Sequence, residues 1–467
     1  MSCASSGPTR APQLSRPAEA SSAPELAWHY DVRLVAGGEL AVEARFDTAI
    51  EGPLTVDGDA TAFVKDVQFQ RAGGWVAATE QDNAWQLPCA ASCRVRYRFQ
   101  LRQACLGLNE ADTALASGDV LIAPPSTWLL HPGTSPKHAE LELQVEPGPG
   151  QRFVSAFRRA PDGRPDHYRA ATAVLDDASY AAFGPLDVAQ VPAGDGTVEL
   201  AIAPAGLALS SEQARAWVMD SAGAIASYYQ GHLPARRTLL LLMHGGGENT
   251  RGLTLGGGGP AVLVRASDLV TPVTTRDDWV IAHELLHANF PDLGREHSWL
   301  SEGLATYLEP IARARVGLLS EAEVWRGLWE GLPEGLPEAG DQGLERTRTW
   351  GRTYWGGALF CLMADLTLRE RSGNQHSLDD VILAIGKTGA SDEDSWPLER
   401  VLSVAERATN SPVLRELYER LAERPGTVDL PALFARLGVR AQGGTVVFDD
   451  SAPLAHIRRS IAARRPG

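Results

Sequence analysis

The sequence is poor in cysteine, in long hydrophobic segments and in positive charge. Five cysteines among 467 residues are too few for a fold that depends mainly on disulfides. No run approaches the roughly 18–20 consecutive apolar residues that a membrane-spanning helix needs, so none is predicted. Lysine and arginine total 43 against 58 aspartates and glutamates, a formal net charge of −15. This excess of negative charge argues against a nucleic acid partner.

The rest of the composition is that of a globular protein with several domains. Hydrophobic residues make up 44% and charged residues 22% of the chain, which is usual for such proteins, and the length predicts two or three domains. Residues 1–25 differ, because they are rich in proline, serine and alanine and cannot form a core. They are predicted to be a disordered tether.

The tether contains a possible anchoring site near its start. A small residue, then Cys3 and then a polar segment are similar to the mature start of a bacterial lipoprotein. The resemblance implies an acylated Cys3 that tethers the protein to a membrane outside the cytoplasm, with Met1 a misassigned start or a truncation point. A plain disordered N-terminus in the cytoplasm is the alternative, and we expect the extracytoplasmic form.

Three of the other cysteines, Cys89, Cys93 and Cys105, lie close together in the N-terminal half. A disulfide between Cys89 and Cys93 would agree with an oxidising compartment. A zinc cluster of all three is the alternative, although no fourth ligand lies at a suitable spacing. Cys361 lies in an apolar helical segment and is predicted to be a core residue.

Apolar and polar residues alternate over much of the N-terminal part. Leu40, Val42, Ala44 and Phe46 are one such series, and turns rich in glycine and proline interrupt the pattern at short intervals. The pattern predicts an N-terminal antiparallel β-sandwich or saddle domain over residues 26–205. This region contains no catalytic constellation.

The strongest chemical signal is the segment His283-Glu284-Leu285-Leu286-His287. Two histidines four residues apart on a helix lie on the same face, so both imidazoles can reach one cation. Glu284 is placed to act as a general base toward water at that cation. A chain with so few histidines contains this motif by chance only about once or twice in a hundred. We therefore predict a site for one zinc ion rather than a buried structural helix.

A catalytic zinc needs a third protein ligand and keeps one position open. The best candidate is Glu302, in the helix-like run WLSEGLATY. Glu296 and His297, in the connecting loop, are the alternatives. The metzincin pattern needs a glycine and a histidine soon after the second histidine, and residues 288–293 contain neither.

HELLH and the following WLSEGLATYLE resemble the gluzincin zinc aminopeptidases. The similarity is to the aminopeptidase N family and, most closely, to the glycyl aminopeptidase family. It implies His283, His287 and Glu302 as zinc ligands and Glu284 as the base. The gap between the second histidine and Glu302 is shorter here than in the aminopeptidase N pattern.

The fold class predicted for the whole chain is α+β. The resemblance implies a thermolysin-like zinc peptidase domain, for which we expect residues 206–320, after the β-domain. Helical periodicity then predicts a helical C-terminal lobe that completes the active site over residues 321–440. Residues 441–467 are predicted to be a C-terminal tail.

The segment HGGGEN, which follows a predicted buried strand, is a second motif. Gly245, Gly246 and Gly247 let the backbone approach a ligand closely, and Glu248 adds a carboxylate. The segment resembles the Gly-x-Met-Glu-Asn element of the aminopeptidase N family. The resemblance implies that Glu248 binds the free α-ammonium of the substrate, a charge-assisted contact worth roughly 1.5–3 kcal/mol, while the glycine backbone orients the peptide. A glycine-rich turn with a solvated Glu248 is the alternative.

The third motif is Tyr354 with the Gly-Gly-Ala that follows Trp355. A phenol near zinc can donate a hydrogen bond to the oxyanion that amide hydrolysis develops. The segment is similar to the Tyr-x-Lys-Gly-Ala element of the family, whose tyrosine has this role, but Gly356 stands where lysine is usual. An aromatic residue that merely packs at a helix start is the alternative.

Together the motifs predict a zinc-dependent aminopeptidase, which removes N-terminal residues from peptides with a free N-terminus by metal-activated water. A zinc endopeptidase or another hydrolase on the same site is one alternative. A catalytically inactive gluzincin-like binding protein is another. A distorted site would favour the inactive protein, and equal hydrolysis of free and N-terminally blocked peptides would favour the endopeptidase.

Overall fold

The structure is a computed structural model that describes residues 25–47, 49–50, 52–87, 92–136 and 138–464. Almost all of the predicted tether lies outside the described residues, as do Cys3 and Cys89. The lipid anchor therefore stays a prediction. Cys93 is disulfide-bonded, which excludes the alternative zinc cluster because a disulfide offers no thiolate. Cys105 and Cys361 are free and buried, as expected of core residues.

The N-terminal part is built from strands. In chain order β1 to β16 are Glu25–Val35, Glu39–Phe46, Leu54–Thr55, Val64–Arg71, Gly74–Ala77, Thr79–Gln81, Ala84–Gln86, Cys93–Phe99, Leu115–Ser117, Val120–Ile122, His131–Pro132, Ala139–Glu146, Arg152–Ser155, Arg158–Arg159, His167–Ala171 and Ala181–Gly184. Two short helices lie among them, α1 (Leu101–Gly107) and α2 (Pro125–Trp128).

These strands form three sheets. The eight-stranded sheet has the order β14-β15-β12-β1-β2-β8-β4-β5, and two four-stranded sheets have the orders β13-β16-β10-β9 and β11-β3-β7-β6. All pairs are antiparallel except β1 with β12. In β2 the side chains of Leu40, Val42, Ala44 and Phe46 are buried, which confirms the alternation. The predicted N-terminal β-domain is thus present.

The remaining elements form the second half of the molecule. The strands β17 to β23 are Asp187–Ala193, Gly196–Ile202, Arg237–His244, Arg251–Leu255, Ala261–Ala266, Val439–Gln442 and Thr445–Phe448. The helices α3 to α12 are Ser211–Tyr228, Val280–Ala288, Ser298–Val316, Glu321–Gly331, Gly357–Ser372, Leu378–Gly386, Leu398–Thr409, Val413–Leu417, Leu430–Leu437 and Ala455–Ala462. The predicted α+β class with a helical C-terminal lobe is confirmed.

The first domain ends earlier than the predicted residue 205. β17 and β18 belong to a five-stranded sheet with the order β17-β18-β19-β21-β20, and β18 pairs in parallel with β19. The boundary therefore lies between Gly184 and Asp187. Alternation along a strand does not reveal which sheet the strand joins, so the sequence pattern missed this change.

The two halves share a hydrophobic interface. Val120 and Ile122 of β10 pack in one buried cluster with Leu239 and Leu241 of β19. On the same side Ser179 donates from its backbone N–H to the carbonyl of Gly257, at 2.9 Å. The β-domain therefore lies against the five-stranded sheet, whose strands β20 and β21 contact helix α4.

Helices α5 and α7 cross with their backbones in contact. A Cβ at Gly303 of α5 would overlap the backbone of Gly357, the first residue of α7. Only glycine permits this approach. Because Glu302 precedes Gly303 and Tyr354 lies just before α7, the contact sets the distance between two predicted site residues.

A buried polar network also ties α5 to its neighbours. The Tyr307 hydroxyl donates to Asp365 Oδ2 at 2.9 Å, and Arg369 Nε donates to Asp365 Oδ1 at 2.9 Å. Arg315 makes a two-point contact with Asp379, at 3.0 and 2.8 Å. Removing one partner of a buried pair typically costs about 3–5 kcal/mol, so this network fixes α5 firmly against α7 and α8.

The predicted C-terminal tail over residues 441–467 is wrong for its described part. The hairpin β22–β23 is followed by α12, whose Ile457 and Ile461 are buried in the main core. Arg458 is only 1% exposed and its guanidinium contacts Glu321 and Asp450. Because its charge is paired in this way, Arg458 can be buried, and the arginine-rich segment can pack against the core. No helix in the described ranges is both long and apolar enough to cross a membrane.

We expect Gly303→Ala to destabilise the protein by about 1–3 kcal/mol, because an added methyl group must force two helix backbones apart. Zinc binding should weaken at the same time, since the shift moves Glu302. Urea unfolding and metal analysis measure the two effects.

Gly223→Ala is the matched control, because Gly223 lies within α3 with no atom near its missing Cβ. At position 223 alanine should raise the free energy of unfolding, by up to about 1 kcal/mol. Equal stability of Gly303→Ala and the wild type would contradict the role of the contact.

Candidate active site

The HELLH segment forms α4, which lies in the core. Ile281, Leu285 and Leu286 are buried, so the helix has a fixed rotation about its axis. The Asp278 carboxylate accepts a hydrogen bond from the Val280 N–H at 2.9 Å, which satisfies one of the free donors at the helix start. The two histidines consequently face the start of α5.

Three side chains converge there. His283 Nε2 lies 3.1 Å from Glu302 Oε2, His287 Nε2 lies 3.3 Å from the same oxygen, and the two nitrogens are 3.2 Å apart. Among the described residues, these three side chains form a group whose ligand atoms lie close enough together to hold one metal ion. The structure thus brings together the two histidines of one helix and the carboxylate of the next.

The three atoms fit a zinc ion. Ligands about 2.0–2.1 Å from a tetrahedral ion lie about 3.3–3.4 Å from one another, and the observed separations are 3.1–3.3 Å. Two imidazoles and a carboxylate are also a known ligand set of catalytic zinc sites, which keep a fourth position open. The donor set and its geometry therefore suit one zinc ion.

The charges of the site favour a cation. Burial would lower the pKa of His287, but the Glu302 carboxylate outweighs burial and raises it to about 9. Burial would raise the pKa of Glu302, yet His287 and His283 hold it well below its usual range. Glu302 is therefore anionic at neutral pH, and without a metal a proton on His287 balances it.

Glu284 is held beside the three ligands by strand β20. The Thr254 hydroxyl donates to Glu284 Oε2 at 2.6 Å. The Glu284 side chain also lies on the bare backbone of Gly252, where a Cβ would overlap it. These two contacts give the carboxylate one position, in the cavity that His287 and Glu302 line.

Tyr354 lies on a π-helical turn, Arg352–Gly356, that leads into α7. Its ring is nearly parallel to that of His283, with ring centroids 6.2 Å apart. It also stacks with the ring of Trp350, with centroids 5.8 Å apart. Burial raises the pKa of Tyr354 above its usual value, and the Glu302 and Glu284 carboxylates raise it further. The phenol therefore keeps its proton and acts as a hydrogen-bond donor at neutral pH.

Two cavities meet at the ligands. A polar cavity of about 390 Å³ is lined by Glu284, His287 and Glu302 together with Asp392 and Arg295. An apolar cavity of about 520 Å³ is bounded by His283 and by apolar side chains, among them Trp279, Val324, Leu328, Trp350 and Trp355. Tyr354 lines both.

A larger concavity of about 560 Å³ lies on the eight-stranded sheet. In its wall Arg98 pairs with Asp66, and Arg98 also pairs with Glu39 nearby. It contains none of the three ligands.

The protein resembles a solved aminopeptidase N family protein from Idiomarina loihiensis, with a TM-score of 0.66, 16% identity and coverage of 89% of this chain and 79% of that one. The chain has the fold of the aminopeptidase N family. An M1 zinc metallopeptidase from Deinococcus radiodurans is also similar, with a TM-score of 0.48, 15% identity and coverage of 86% and 95%. No protein-family model and no curated protein matches the chain.

The predicted resemblance to the aminopeptidase N family is therefore confirmed as a likeness of fold. At 16% identity the chemistry has to be argued from the side chains themselves. The closer affinity with the glycyl aminopeptidases stays a prediction.

Within this aminopeptidase N fold, the structure does not bring Glu248 to the cavity. Glu248 is exposed, lies in the loop before β20, and does not line the cavity that contains Glu284. Gly246 and Gly247 have positive φ angles of 70° and 74°, and the Gly247 N–H donates to Asp268 Oδ2 at 2.8 Å. The glycines therefore form a turn between two strands, as the alternative interpretation of the motif proposed.

The rival metal ligands lie elsewhere. His297 Nδ1 lies 2.9 Å from Glu345 Oε1, and Trp299 Nε1 donates to the same carboxylate oxygen at 3.2 Å. Glu296 is exposed. Both rivals therefore belong to the loop that leads into α5.

Sequence reasoning missed three residues of the polar cavity. Gly252 and Thr254 are two apart in β20 and so share one face of the strand, a signal that would have directed both toward Glu284. Asp392 carries no local signal, because it lies in a loop far along the chain. Burial raises the pKa of Asp392 to about 7, and the neighbouring Asp292 and Glu284 carboxylates also raise it, while His287 opposes them.

We expect zinc binding at pH 7 to release about one proton. His287, with a pKa of about 9 in the metal-free site, is protonated at pH 7 and must become neutral to bind zinc. The affinity for zinc should therefore rise about tenfold per pH unit between pH 7 and 9, because the competing proton on His287 is lost over that range. Calorimetry in two buffers of different ionisation enthalpy counts the released protons.

Glu302→Gln should reduce this release, because it removes the carboxylate that raises the pKa of His287. An affinity that stays constant from pH 7 to 9 in the wild type would contradict the expectation.

Proposed function

We propose that the protein is a zinc-dependent peptidase, and more specifically an aminopeptidase. One observation carries the proposal: three ligand atoms lie at zinc spacing, and two of these ligands, His287 and Glu302, share a cavity with a restrained carboxylate, Glu284, and a protonated phenol, Tyr354. Each group is one that metal-assisted amide hydrolysis requires. The fold of the aminopeptidase N family agrees with this assignment.

In the proposed reaction His283, His287 and Glu302 hold the ion. When bound, zinc supplies a Lewis acid that polarises the scissile carbonyl and acidifies water. Glu284 takes a proton from the attacking water and returns it to the leaving amine. Its contact with Thr254 Oγ1 at 2.6 Å keeps the carboxylate oriented between the two proton transfers.

Tyr354 stabilises the charge that develops on the carbonyl oxygen. The rings of Trp350 and His283 stack with its ring, and its hydroxyl interacts with the Glu302 carboxylate, so the phenol lies beside the ligands before a substrate arrives. A donor held in advance needs no reorganisation during the reaction, which is what makes such groups effective. Losing one donor of this kind typically costs about 10²–10³-fold in rate.

The apolar cavity supports a preference for apolar side chains in the substrate residue on the leaving-group side of the scissile bond. It is bounded by His283, whereas His287 and Glu302 line the polar cavity, and its wall contains Trp279, Trp350 and Trp355. Burial of an apolar side chain there would stabilise the complex by roughly 25 cal/mol per Å². We therefore expect bulky apolar residues in the second position of the substrate.

An endopeptidase is the second candidate function. The observation that favours it is the position of Glu248, which is exposed and outside the cavity and so does not supply the predicted ammonium contact. The inactive binding protein has no such support, because the three ligands converge on one point and the base and the phenol line the cavity that two of them share. Hydrolysis of aminoacyl fluorogenic substrates, with and without chelator and with zinc analysis, tests the enzyme proposal.

Glu284→Gln should lower turnover about 10²–10⁴-fold, the usual contribution of a general acid–base group. The variant should still bind one zinc ion, because Glu284 is not a ligand. Rates with an aminoacyl fluorogenic substrate and metal analysis of the same sample provide the two measurements.

His283→Ala is the contrasting variant, since it removes a ligand and should lose zinc and activity together. Full activity of Glu284→Gln would refute the assignment of the base.

Trp350→Ala should weaken the use of substrates with bulky apolar residues on the leaving side. Trp350 is 64% exposed but lines the apolar cavity, and an aromatic contact of this kind is worth about 0.5–1.5 kcal/mol. We expect kcat/KM for such substrates to fall about threefold to tenfold, mainly through KM.

Leu269→Ala serves as the control, because Leu269 is equally exposed and lines neither cavity. A uniform fall in kcat for small and bulky substrates would instead indicate that Trp350 acts only by holding Tyr354.

A further inference from the structure

We propose that Asp392 binds the N-terminal ammonium of the peptide substrate. The inference rests on the proposed function, and it assigns to a residue in a distant loop the role that the motif analysis gave to Glu248. It makes the enzyme an exopeptidase for peptides with a free amine.

Asp392 lies in the wall of the polar cavity. It shares that cavity with Glu284, His287 and Glu302, on the side opposite the tryptophans. A substrate whose carbonyl lies at the zinc ligands places its α-ammonium only a few bonds away. The polar cavity is therefore where the amine of an N-terminal residue would lie.

The backbone holds Asp392 in place. Its N–H donates to the carbonyl of Ala288, at the end of α4, at 3.4 Å, and the Trp396 N–H donates to the Asp292 carbonyl at 2.8 Å. The Asp392 carbonyl lies against Gly256, where a Cβ would overlap it. Because the loop is fixed on both α4 and the end of β20, the carboxylate is positioned before a ligand arrives.

The charge of Asp392 is not balanced by the protein. Among the described residues no hydrogen bond or ion pair is made to its carboxylate, and its electrostatic neighbours other than His287 are Asp292, Glu284 and Asp177. Arg295, which also lines the cavity, lies near Asp177. A half-buried carboxylate without a partner is stabilised by a nearby cation, and the substrate ammonium is one.

The test compares alanyl-7-amido-4-methylcoumarin with its N-acetyl form. With the wild type we expect the free amine to be hydrolysed far faster. Asp392→Asn should lower kcat/KM for the free form about 10- to 100-fold, the usual effect of a charge-assisted contact. The N-acetyl form should change less than about threefold, since it makes no such contact, and zinc content should be unchanged.

Two further variants make the comparison specific. Glu393→Gln removes a charge from the next residue, which is exposed and does not line the cavity, so the ratio of the two rates should stay at the wild-type value. Asp392→Ser supplies the same loss of charge with a smaller side chain if the asparagine variant does not fold. Loss of the preference in Glu248→Gln rather than in Asp392→Asn would overturn the proposal.

Binding gives a readout that does not depend on turnover. In a Glu284→Gln background, zinc-loaded protein should bind Ala-Ala-Ala more tightly than its N-acetyl form, and adding Asp392→Asn should abolish the difference. Calorimetry measures both affinities. Loss of zinc in Asp392→Asn would show that the residue orients His287 instead, which would overturn the ammonium role.

The outcomes also separate this inference from the proposed function. If the zinc-loaded wild type hydrolyses neither substrate nor any aminoacyl analogue, the peptidase proposal fails. If it hydrolyses the free and the acetylated form equally, the Asp392 assignment and the aminopeptidase specificity fail, while the zinc peptidase proposal stands. If it prefers the free form and Asp392→Asn keeps that preference, only the Asp392 assignment fails.

Discussion

The active site depends on the distance between two helices. His283 and His287 are fixed relative to each other by α4 alone, but Glu302 reaches them only because α5 lies close by. Backbone contact between Gly303 and Gly357 holds α5 against α7, and the buried ion pair between Arg315 and Asp379 holds it against α8. The position of Glu302 relative to α4 therefore depends on both contacts. The metal site is thus a product of helix packing, and its three ligands are only as well placed as the helices that carry them.

The ligands also divide the cleft into two unlike halves. Polar groups lie on the side of Glu284 and tryptophans on the other, so the two ends of a bound peptide would meet different chemistry. Strand β20 restrains Glu284, the proposed base, while the π-helical turn before α7 holds the phenol of Tyr354. The groups proposed to act on the scissile bond therefore come from two different elements. Such an arrangement would fix the direction in which a bound peptide lies in the cleft.

The sequence predicted what depends on local spacing. Two histidines separated by one helical turn, and a glutamate beside the first, define their geometry by periodicity alone. Glu302 was identified through a motif in the next helix. Asp392 was not, since only the folded chain brings a loop after α8 to the end of α4. The burial of Arg458 could not be predicted for the same reason: it depends on Glu321 and Asp450, which no local pattern connects to it.

The π-helical turn at Arg352–Gly356 means that the position of Tyr354 is set by a residue count as well as by residue identity. In a regular α-helix each residue adds about 100° of rotation and 1.5 Å of rise. Deleting one residue from the turn would swing the phenol about a quarter of a revolution away from the ligands. A single deletion there would therefore abolish the proposed activity while the HELLH motif and the other zinc ligand remained intact.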